Sequence, residues 1–398
     1  MRNLSSQEVI RSHLIVLPGA WGIYLNELFR RISTSMVGLF IPLYIYKETG
    51  DLLSIPIYYL IFSVTAFCTE LPSAYLIKKI GIDKGLALGS LFRTTFLYTL
   101  IFANHHHMLF WVSAFAFGLT MPFDWLPHYY SLAKMAKKGH QFGNVASFSK
   151  IFTRLGSSLG PVVGGLCIQL WGFSTLYFIA GTLIIVAGIM PFLDKFEKID
   201  MHVSGKEIIN RLFDPGIIKH IFAFGTENYD GIVSIMIWPI FLFTTVGSYG
   251  KSGTVETLAL LVGIISLYMI NKLVKNKKYN AMRWGSIAII LGWVGRLFMK
   301  NINGIWLANL SYLSGTAFLF TPVWSLLYSC SVAKKYTMEF WLVHELLSHG
   351  LLALSCLAIW YALSHNFGLS NIIYTDILII GMSLIFPWLY RGYIQRYG

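Results

Sequence analysis

The stretch GSSLGPVVGG at residues 156–165 carries no charge and lies inside a longer apolar segment. Gly156, Gly160 and Gly164 are four residues apart, so they share one face of a helix. In water such a helix is poor, because each glycine costs roughly 1 kcal/mol relative to alanine. In lipid the helix is enforced, since unpaired backbone groups cost several kcal/mol. The stretch therefore predicts a membrane helix that a neighbour approaches closely, bent at Pro161.

The composition is that of a membrane protein. Of the 398 residues, 56% are hydrophobic and 12% are charged, whereas a soluble domain has about 25% charged residues. The net charge of +13 does not indicate a nucleic-acid partner, because the basic residues are spread along the chain. Its four cysteines lack the spacing of a zinc site. We predict no metal, no cofactor and no nucleic-acid partner.

Apolar runs of about 20 residues can cross a bilayer as helices. The sequence predicts an all-α membrane protein with twelve such spans. They are residues 24–46, 53–77, 83–103, 108–133, 143–168, 173–193, 217–246, 254–273, 283–299, 304–332, 339–363 and 371–390.

The basic residues set the orientation of these spans. Twenty-two of the 31 lysines and arginines fall in loops on one side, and three (Lys47, Lys251 and Lys300) fall on the other. Loops rich in basic residues stay in the cytoplasm. We therefore predict that both termini are cytoplasmic and that the protein lies in the plasma (inner) membrane.

The longest inner loop, residues 194–216, predicts a linker between two bundles. Ser204-x-x-Glu207 reads as a capping box, and an apolar face follows, formed by Ile208, Ile209, Leu212 and Phe213. We expect a short amphipathic helix on the inner membrane surface. The predicted domains are then a six-helix bundle at 1–193, the linker at 194–216 and a second six-helix bundle at 217–398.

Similar short motifs recur about half a chain apart. Pro42 and Pro239 sit in comparable aromatic surroundings, Trp125-x-x-x-Tyr129 corresponds to Trp324-x-x-x-Tyr328, and 88–90 corresponds to 284–286. Their shared offset predicts two pseudo-symmetric halves related by an axis along the membrane normal.

The pattern Gly156-x-x-x-Gly160-Pro161-x-x-Gly164-Gly165 resembles the fifth-helix antiporter motif of the major facilitator superfamily of secondary transporters. Twelve spans, a long central loop and a half-chain repeat extend the resemblance over essentially the whole chain. It implies the major facilitator fold and transport by alternating access. The alternative is that the glycines are a generic close-packed helix face.

The loop after the second span departs from the family pattern. The family has an acidic residue followed by basic ones around a glycine, and here the loop contains Lys78, Lys79, Gly81, Asp83 and Lys84. Lys78 stands at the acidic position, so the charge relay of that family is altered. The fourth span also lacks the arginine of drug exporters, which argues against their standard mechanism.

Ionisable residues inside spans cost about 2.5–3.5 kcal/mol each on insertion scales, so they predict a functional cleft. The candidates for a substrate and proton cleft are Glu27, Arg30, Asp124, His128, Arg154, Glu227, Asp230, Arg296, Glu345 and His349. We expect Arg154 to pair with Asp124 or Glu27. The alternative for any one of them is a structural ion-pair network.

Arg30 and Glu227 occupy corresponding positions of the two halves, so we predict that they face each other across the cleft. Alternatively, each pairs within its own half. Basic residues dominate the spans of the first half and acidic residues those of the second. That asymmetry suits a zwitterionic substrate or ion pairs that break as the halves move.

The sequence therefore predicts a transporter rather than an enzyme. The first hypothesis is a proton-coupled exporter working by antiport, and the second is a symporter or uniporter for a small polar or zwitterionic solute. A non-transporting membrane scaffold or receptor is the third. The expected partners are a small-molecule substrate, protons and the lipid bilayer, and the expected state is a monomer.

Overall fold

The computed structural model describes residues 21–139, 153, 156–194, 205–212, 218–273, 278–333 and 337–389. Within these ranges every regular element is a helix, as the apolar patterning predicts. The α-helices are α1 (Trp21–Gly38), α2 (Ile41–Thr49), α3 (Ser54–Ile80), α4 (Ile82–Phe102), α5 (Met108–Gly139), α6 (Gly160–Ile189), α7 (Gly205–Leu212), α8 (Ile218–Met236), α9 (Trp238–Val246), α10 (Tyr249–Leu273), α11 (Lys278–Phe298), α12 (Ile302–Ala333), α13 (Thr337–Ser364), α14 (Leu369–Met382) and α15 (Phe386–Leu389). Short 3-10 helices cover Met190–Leu193 and Ser383–Ile385.

Eight helical segments of the described residues are long and apolar enough to cross a membrane. They are Trp21–Thr49, Ser54–Ile80, Ile82–Phe102, Met108–Ser131, Gly156–Leu193, Ile221–Val246, Glu339–Ser364 and Leu369–Leu389. The fold is thus that of an all-α, multi-pass membrane protein. We refer below to residues 21–194 as the first half and to residues 218–389 as the second half.

The glycine stretch runs parallel to α1. Ser35 Oγ lies 3.1 Å from the carbonyl oxygen of Gly156, and Gly164, further along, packs on the backbone carbonyl of Met36. Both chains therefore advance in the same direction along this contact.

The chain then reverses at Gly172. Ser33 Oγ donates to the carbonyl of Ala180 at 2.9 Å, and Asn26 Nδ2 donates to that of Ala187 at 2.8 Å. Later residues now meet earlier residues of α1, so this part is antiparallel to it. Gly172 has φ 86° and ψ 175°, a conformation that is essentially restricted to glycine. The 38-residue segment is consequently a hairpin of two helices, which agrees with the predicted fifth and sixth spans.

The end of this hairpin is fastened to the start of α1. Asp194 Oδ1 and Oδ2 accept the backbone N–H groups of Gly22 and Ile23 at 3.0 and 2.9 Å. These two hydrogen bonds join the end of the hairpin to α1. Burial raises the pKa of the Asp194 carboxyl, and the two backbone donors oppose that rise.

The half-chain repeat is visible in local structure. The chain breaks between α1 and α2 and again between α8 and α9, and a proline, Pro42 or Pro239, is the second residue of each short helix. Each short helix is nine residues long and ends at a left-handed glycine, Gly50 (φ 68°) or Gly247 (φ 70°). Two segments with the same break, length and cap support the predicted duplication.

The linker helix packs on protein as well as facing outward. Helix α7 forms where the capping box predicts it, and Ile209 is exposed. Ile208, however, is fully buried in a cluster with Ala74 and Trp341. The expected helix lying on the membrane surface is therefore docked against α3 and α13, and Phe213 lies outside the described residues.

Gly81 makes the turn between α3 and α4 with φ 99° and ψ 168°, a region that side chains disfavour. Its N–H donates to the Ile77 carbonyl at 2.9 Å and so closes α3. We expect Gly81→Ala to lower the free energy of unfolding by about 2 kcal/mol. Thermal unfolding of the purified protein measures the loss. Gly381→Ala is the control, because a Cβ at Gly381 meets nothing within 4 Å. Equal midpoints for the two variants would contradict the expected strain.

Candidate functional site

A cavity of about 460 Å³ lies between the two halves. Side chains of α1, α3, α4 and α5 line it on one side, and those of α8, α12 and α13 line it on the other. Its polar and large aromatic lining residues include Arg30, Arg31, Tyr59, Arg93, Trp125 and Tyr129 from the first half and Glu227, Asn228, Trp324, His344, Glu345, Ser348 and His349 from the second.

The halves touch beyond both ends of this cavity. Near the turns at Gly172 and Gly247, Ser248 Oγ donates to Gln169 Oε1 at 3.3 Å. Toward the opposite end, the rings of Tyr129 and Trp341 stack with centroids 4.4 Å apart. Contacts between the halves therefore lie toward both ends of the cavity.

One carboxylate of α1 holds two arginines of the same helix. Glu27 accepts from Arg30, and its Oε1 accepts from Arg31 Nε at 2.6 Å. Thr153 Oγ1 donates to Glu27 at 3.0 Å, and His128 Nδ1 lies 3.9 Å from it. Glu27 is 1% exposed and does not line the cavity, whereas Arg30 and Arg31 do.

Asp124 joins a third arginine to this group. It pairs with Arg93 of α4, and its Oδ2 lies 3.4 Å from Arg30 Nη1. Arg93 Nη1 also donates to Thr34 Oγ1 at 2.9 Å. We call Glu27, Arg30, Arg31, Arg93 and Asp124 the arginine cluster. Its three guanidinium groups outnumber its two carboxylates and line the cavity, while both carboxylates lie behind them. This wall of the cavity therefore attracts anionic groups.

The expected ion pair between Arg30 and Glu227 is not formed in this structure. Both residues line the cavity, but the ion pairs of Arg30 are to Glu27 and Asp124. The alternative of pairing within each half therefore describes Arg30. Arg154, which was expected to pair with Asp124 or Glu27, lies outside the described residues.

The second half presents carboxyl groups without a strong cationic partner. Glu227 Oε1 accepts from Trp324 Nε1 at 2.8 Å. Glu345 Oε1 lies 3.7 Å from His344 Nε2, and its Oε2 lies 3.9 Å from His349 Nδ1. In the part of the chain that the structure describes, no lysine or arginine nitrogen lies within 4.0 Å of either carboxylate. The cavity thus has a guanidinium wall and a carboxyl wall.

Asp230 and Arg296 were expected in the cleft, but they do not line the cavity. Asp230 accepts from Trp293 Nε1 at 2.9 Å and from the Tyr312 hydroxyl at 3.0 Å. The Arg296 guanidinium carbon lies 3.8 Å from the centre of the Tyr312 ring and 4.0 Å from that of Trp238. Both residues belong to a buried network inside the second half, among α8, α9, α11 and α12.

The glycine motif is a packing surface for α1. A Cβ on Gly160 would collide with Ser35, and one on Gly164 would collide with the backbone oxygen of Met36. Gly156 packs on α1 one turn earlier. The close helix approach predicted from the four-residue spacing is confirmed by these contacts.

The same motif also touches the second half. Gly165 packs on the backbone of Tyr249, and the carbonyl of Pro161 packs on Gly253. Three turns of the motif therefore lie between α1 and α10, and α10 belongs to the other half. A change of angle between the halves must pass through this contact.

The loop of the altered family signature lies at the surface. Lys78, Lys79 and Lys84 are exposed, and Asp83 is half-buried. The Asp83 carboxylate lies beside Gly81. The displaced acid thus remains next to the turn that the family pattern marks.

Three ionisable residues outside the predicted site have close polar contacts in the structure. Arg93 lines the cavity and pairs with Asp124. Glu70 of α3 is fully buried beside His349, at 3.2 Å. Glu256 accepts from Asn309 Nδ2 at 2.9 Å and so joins the Arg296 network. Their ionisable side chains within predicted spans were a signal that could have selected them. Their partners could not be predicted, because these are remote in sequence.

Both the sequence and the fold resemble those of known proteins. The profile of the family described as Major Facilitator Superfamily matches residues 23–340. Comparison with curated protein sequences finds no match.

Three solved structures resemble the chain along almost its whole length. A peptide transporter POT in complex with alafosfalin aligns with a TM-score of 0.67 and 13% identity, covering 98% of this chain and 99% of that one. A POT family transporter in complex with a thioalcohol-conjugated peptide gives 0.71 and 11%, covering 94% and 96%. One in complex with 5-aminolevulinic acid gives 0.68 and 11%, also covering 94% and 96%. At these identities the likeness concerns the fold alone.

Proposed function

This chain belongs to the Major Facilitator Superfamily, and we propose that it is a proton-coupled secondary transporter of a small zwitterionic solute. The family consists of transport proteins, not enzymes. The observation that carries the proposal is the charge separation across the cavity. Arg30, Arg31 and Arg93 face Glu227 and Glu345 over a space of about 460 Å³. A solute with a carboxylate at one end and an ammonium at the other complements both walls.

Glu227 is the proposed proton carrier. It lines the cavity, its carboxylate accepts a hydrogen bond from the Trp324 indole, and the arginines of the facing wall are held by other carboxylates. A carboxyl group in that position exchanges a proton with water when the cavity opens. Proton and solute then share one cavity, and each alters the binding of the other.

The twelve-span organisation in two six-span halves is part of the proposal. The hairpin at Gly172 supplies two spans, and three further helices, α10, α11 and α12, are 25, 21 and 32 residues long. Added to the other qualifying segments, they give twelve. The exposed lysines at the Gly81 turn support a cytoplasmic location for that end. Both termini then lie in the cytoplasm.

A direct test uses proteoliposomes and two zwitterionic probes, dialanine and 5-aminolevulinic acid. We expect a pH gradient to drive accumulation of at least one probe. Glu227→Gln is expected to reduce gradient-driven accumulation by at least about 10-fold, because proton coupling is lost, while probe exchange without a gradient persists. Asp51→Asn, which changes an exposed carboxylate, is the control.

Full gradient-driven accumulation by Glu227→Gln would assign proton coupling to another group. If no probe moves, and the arginines of the cavity can be replaced without consequence, a non-transporting scaffold or receptor is favoured instead.

Efflux by antiport is the second candidate. It is favoured by the position of Gly156–Gly165, because the antiporter-like motif packs against both α1 and the α10 helix of the other half. The same vesicles separate the two directions. Under antiport an acidic lumen drives the probe inward in exchange for protons, whereas under symport the acidic side must be the side that contains the probe.

A further inference from the structure

Three potential metal ligands converge beside the cavity, and we call them the three-ligand cluster. His349 Nδ1 lies 3.2 Å from Glu70 Oε1 and 3.9 Å from Glu345 Oε2. One ligand atom from each residue lies within 4.8 Å of the other two. Ligands bound tetrahedrally to zinc at about 2.0 Å are about 3.3 Å apart. The observed separations are close to that arrangement, with room for a small contraction around an ion.

The cluster lacks internal compensation. Glu70 is 0% exposed and His349 is 5% exposed. Neither oxygen of Glu70 has a hydrogen-bond partner, and the 3.2 Å contact with His349 Nδ1 is an ion-pair distance without the alignment of a hydrogen bond. A buried polar atom without a partner costs about 1–3 kcal/mol, and more when it is charged. The arginines of the first half do not serve as counter-ions here, because they pair with Glu27 and Asp124.

We propose that Glu70, Glu345 and His349 bind a divalent transition-metal ion of the zinc type between the two halves. One imidazole and two carboxylates form a nitrogen and oxygen donor set suited to such ions. Three protein ligands leave a further coordination position, and Glu345 and His349 line the cavity from which water or a solute group can fill it.

The ion would connect the two halves directly. Glu70 belongs to α3 of the first half, whereas Glu345 and His349 belong to one face of α13 in the second. Separating these helices would divide the ligand set. Metal binding therefore favours the conformation with both helices in contact, and stabilises it in proportion to the difference in affinity between states.

The test measures zinc binding to the purified full-length protein by calorimetry. Three consecutive exposed histidines, His105, His106 and His107, could also bind zinc. The parent for these measurements therefore carries His105→Asn, His106→Asn and His107→Asn. We expect one zinc ion per chain. Glu70→Gln and His349→Gln are each expected to weaken zinc binding by at least about 10-fold.

Two further measurements make the result specific. Zinc should raise the thermal midpoint of the parent and of the control His365→Asn, whose side chain is exposed, but not that of Glu70→Gln. Because Glu70→Gln keeps the shape and removes a buried charge, its midpoint without zinc shows that it is folded. X-ray absorption should show nitrogen and oxygen ligands at about 2.0 Å.

Absence of zinc binding by the parent at millimolar zinc overturns the proposal, as does an unchanged affinity in both ligand variants. Equal stabilisation by magnesium would overturn the assigned ligand chemistry. None of these measurements depends on the transported solute, so they succeed or fail independently of the proposed transport function.

Discussion

Changing Asp124 to asparagine is expected to destabilise the protein by about 3 kcal/mol and to abolish transport. Asp124 is 1% exposed and neutralises Arg93, while it also contacts Arg30 at 3.4 Å. Without its charge, three guanidinium groups share the single carboxylate of Glu27. An uncompensated buried charge is more costly than a missing contact. The thermal midpoint and the yield of monodisperse protein in detergent measure the loss.

A double variant distinguishes charge from shape. Adding Arg93→Met to Asp124→Asn removes one positive charge and restores the excess of one cation that the arginine cluster has in the parent. We expect the double variant to be more stable than Asp124→Asn alone. Asp51→Asn is again the exposed control. A double variant as unstable as the sum of its two single changes would show that charge balance does not explain the effect.

The second large effect is expected from Gly164→Val. A Cβ at this position would meet the carbonyl oxygen of Met36, which is backbone and cannot rotate away. Helix α1 must then move off the hairpin, and the contacts of Gly156 and Gly160 open with it. Overpacking of this kind costs about 3 kcal/mol. We expect a large drop in thermal midpoint and little folded protein at physiological temperature.

Gly38→Val is the matched control for this change. It lies on α1 itself, and a Cβ there meets nothing within 4 Å. Its midpoint should stay close to that of the parent. If Gly164→Val were equally harmless, the close contact with α1 would not contribute to stability.

The all-helical, multi-pass fold could be predicted from the sequence because lipid leaves few other backbone structures. Apolar length, the location of lysines and the repeat of Pro42 and Pro239 each depend on local residues, and the helices follow them. The break at Gly172 also lies between the predicted fifth and sixth spans, which end at residue 168 and begin at residue 173. The packing partner of Gly156–Gly165, in contrast, is α1, and nothing in the stretch itself specifies that helix.

The candidate site was predicted as a set of residues but not as a set of pairs. Insertion cost identifies Glu27, Arg30 and Asp124 as exceptional without saying which faces which. Position in the repeat suggested Arg30 opposite Glu227, but the carboxylate one turn away on the same helix was nearer. Asp230 lies inside the second half and not in the cavity. Its carboxylate is satisfied there by hydrogen bonds from Trp293 and Tyr312, so it needs no contact with water.

The two hydrogen bonds between Asp194 and α1 have a mechanical consequence. Asp194 is the first residue of the predicted linker, and its two hydrogen bonds hold the backbone of Gly22 and Ile23 in α1. Glu27 and Arg30 follow on the same helix, about one and two turns further along. A displacement of this end of the hairpin would therefore be transmitted through α1 to the arginine-lined wall of the cavity.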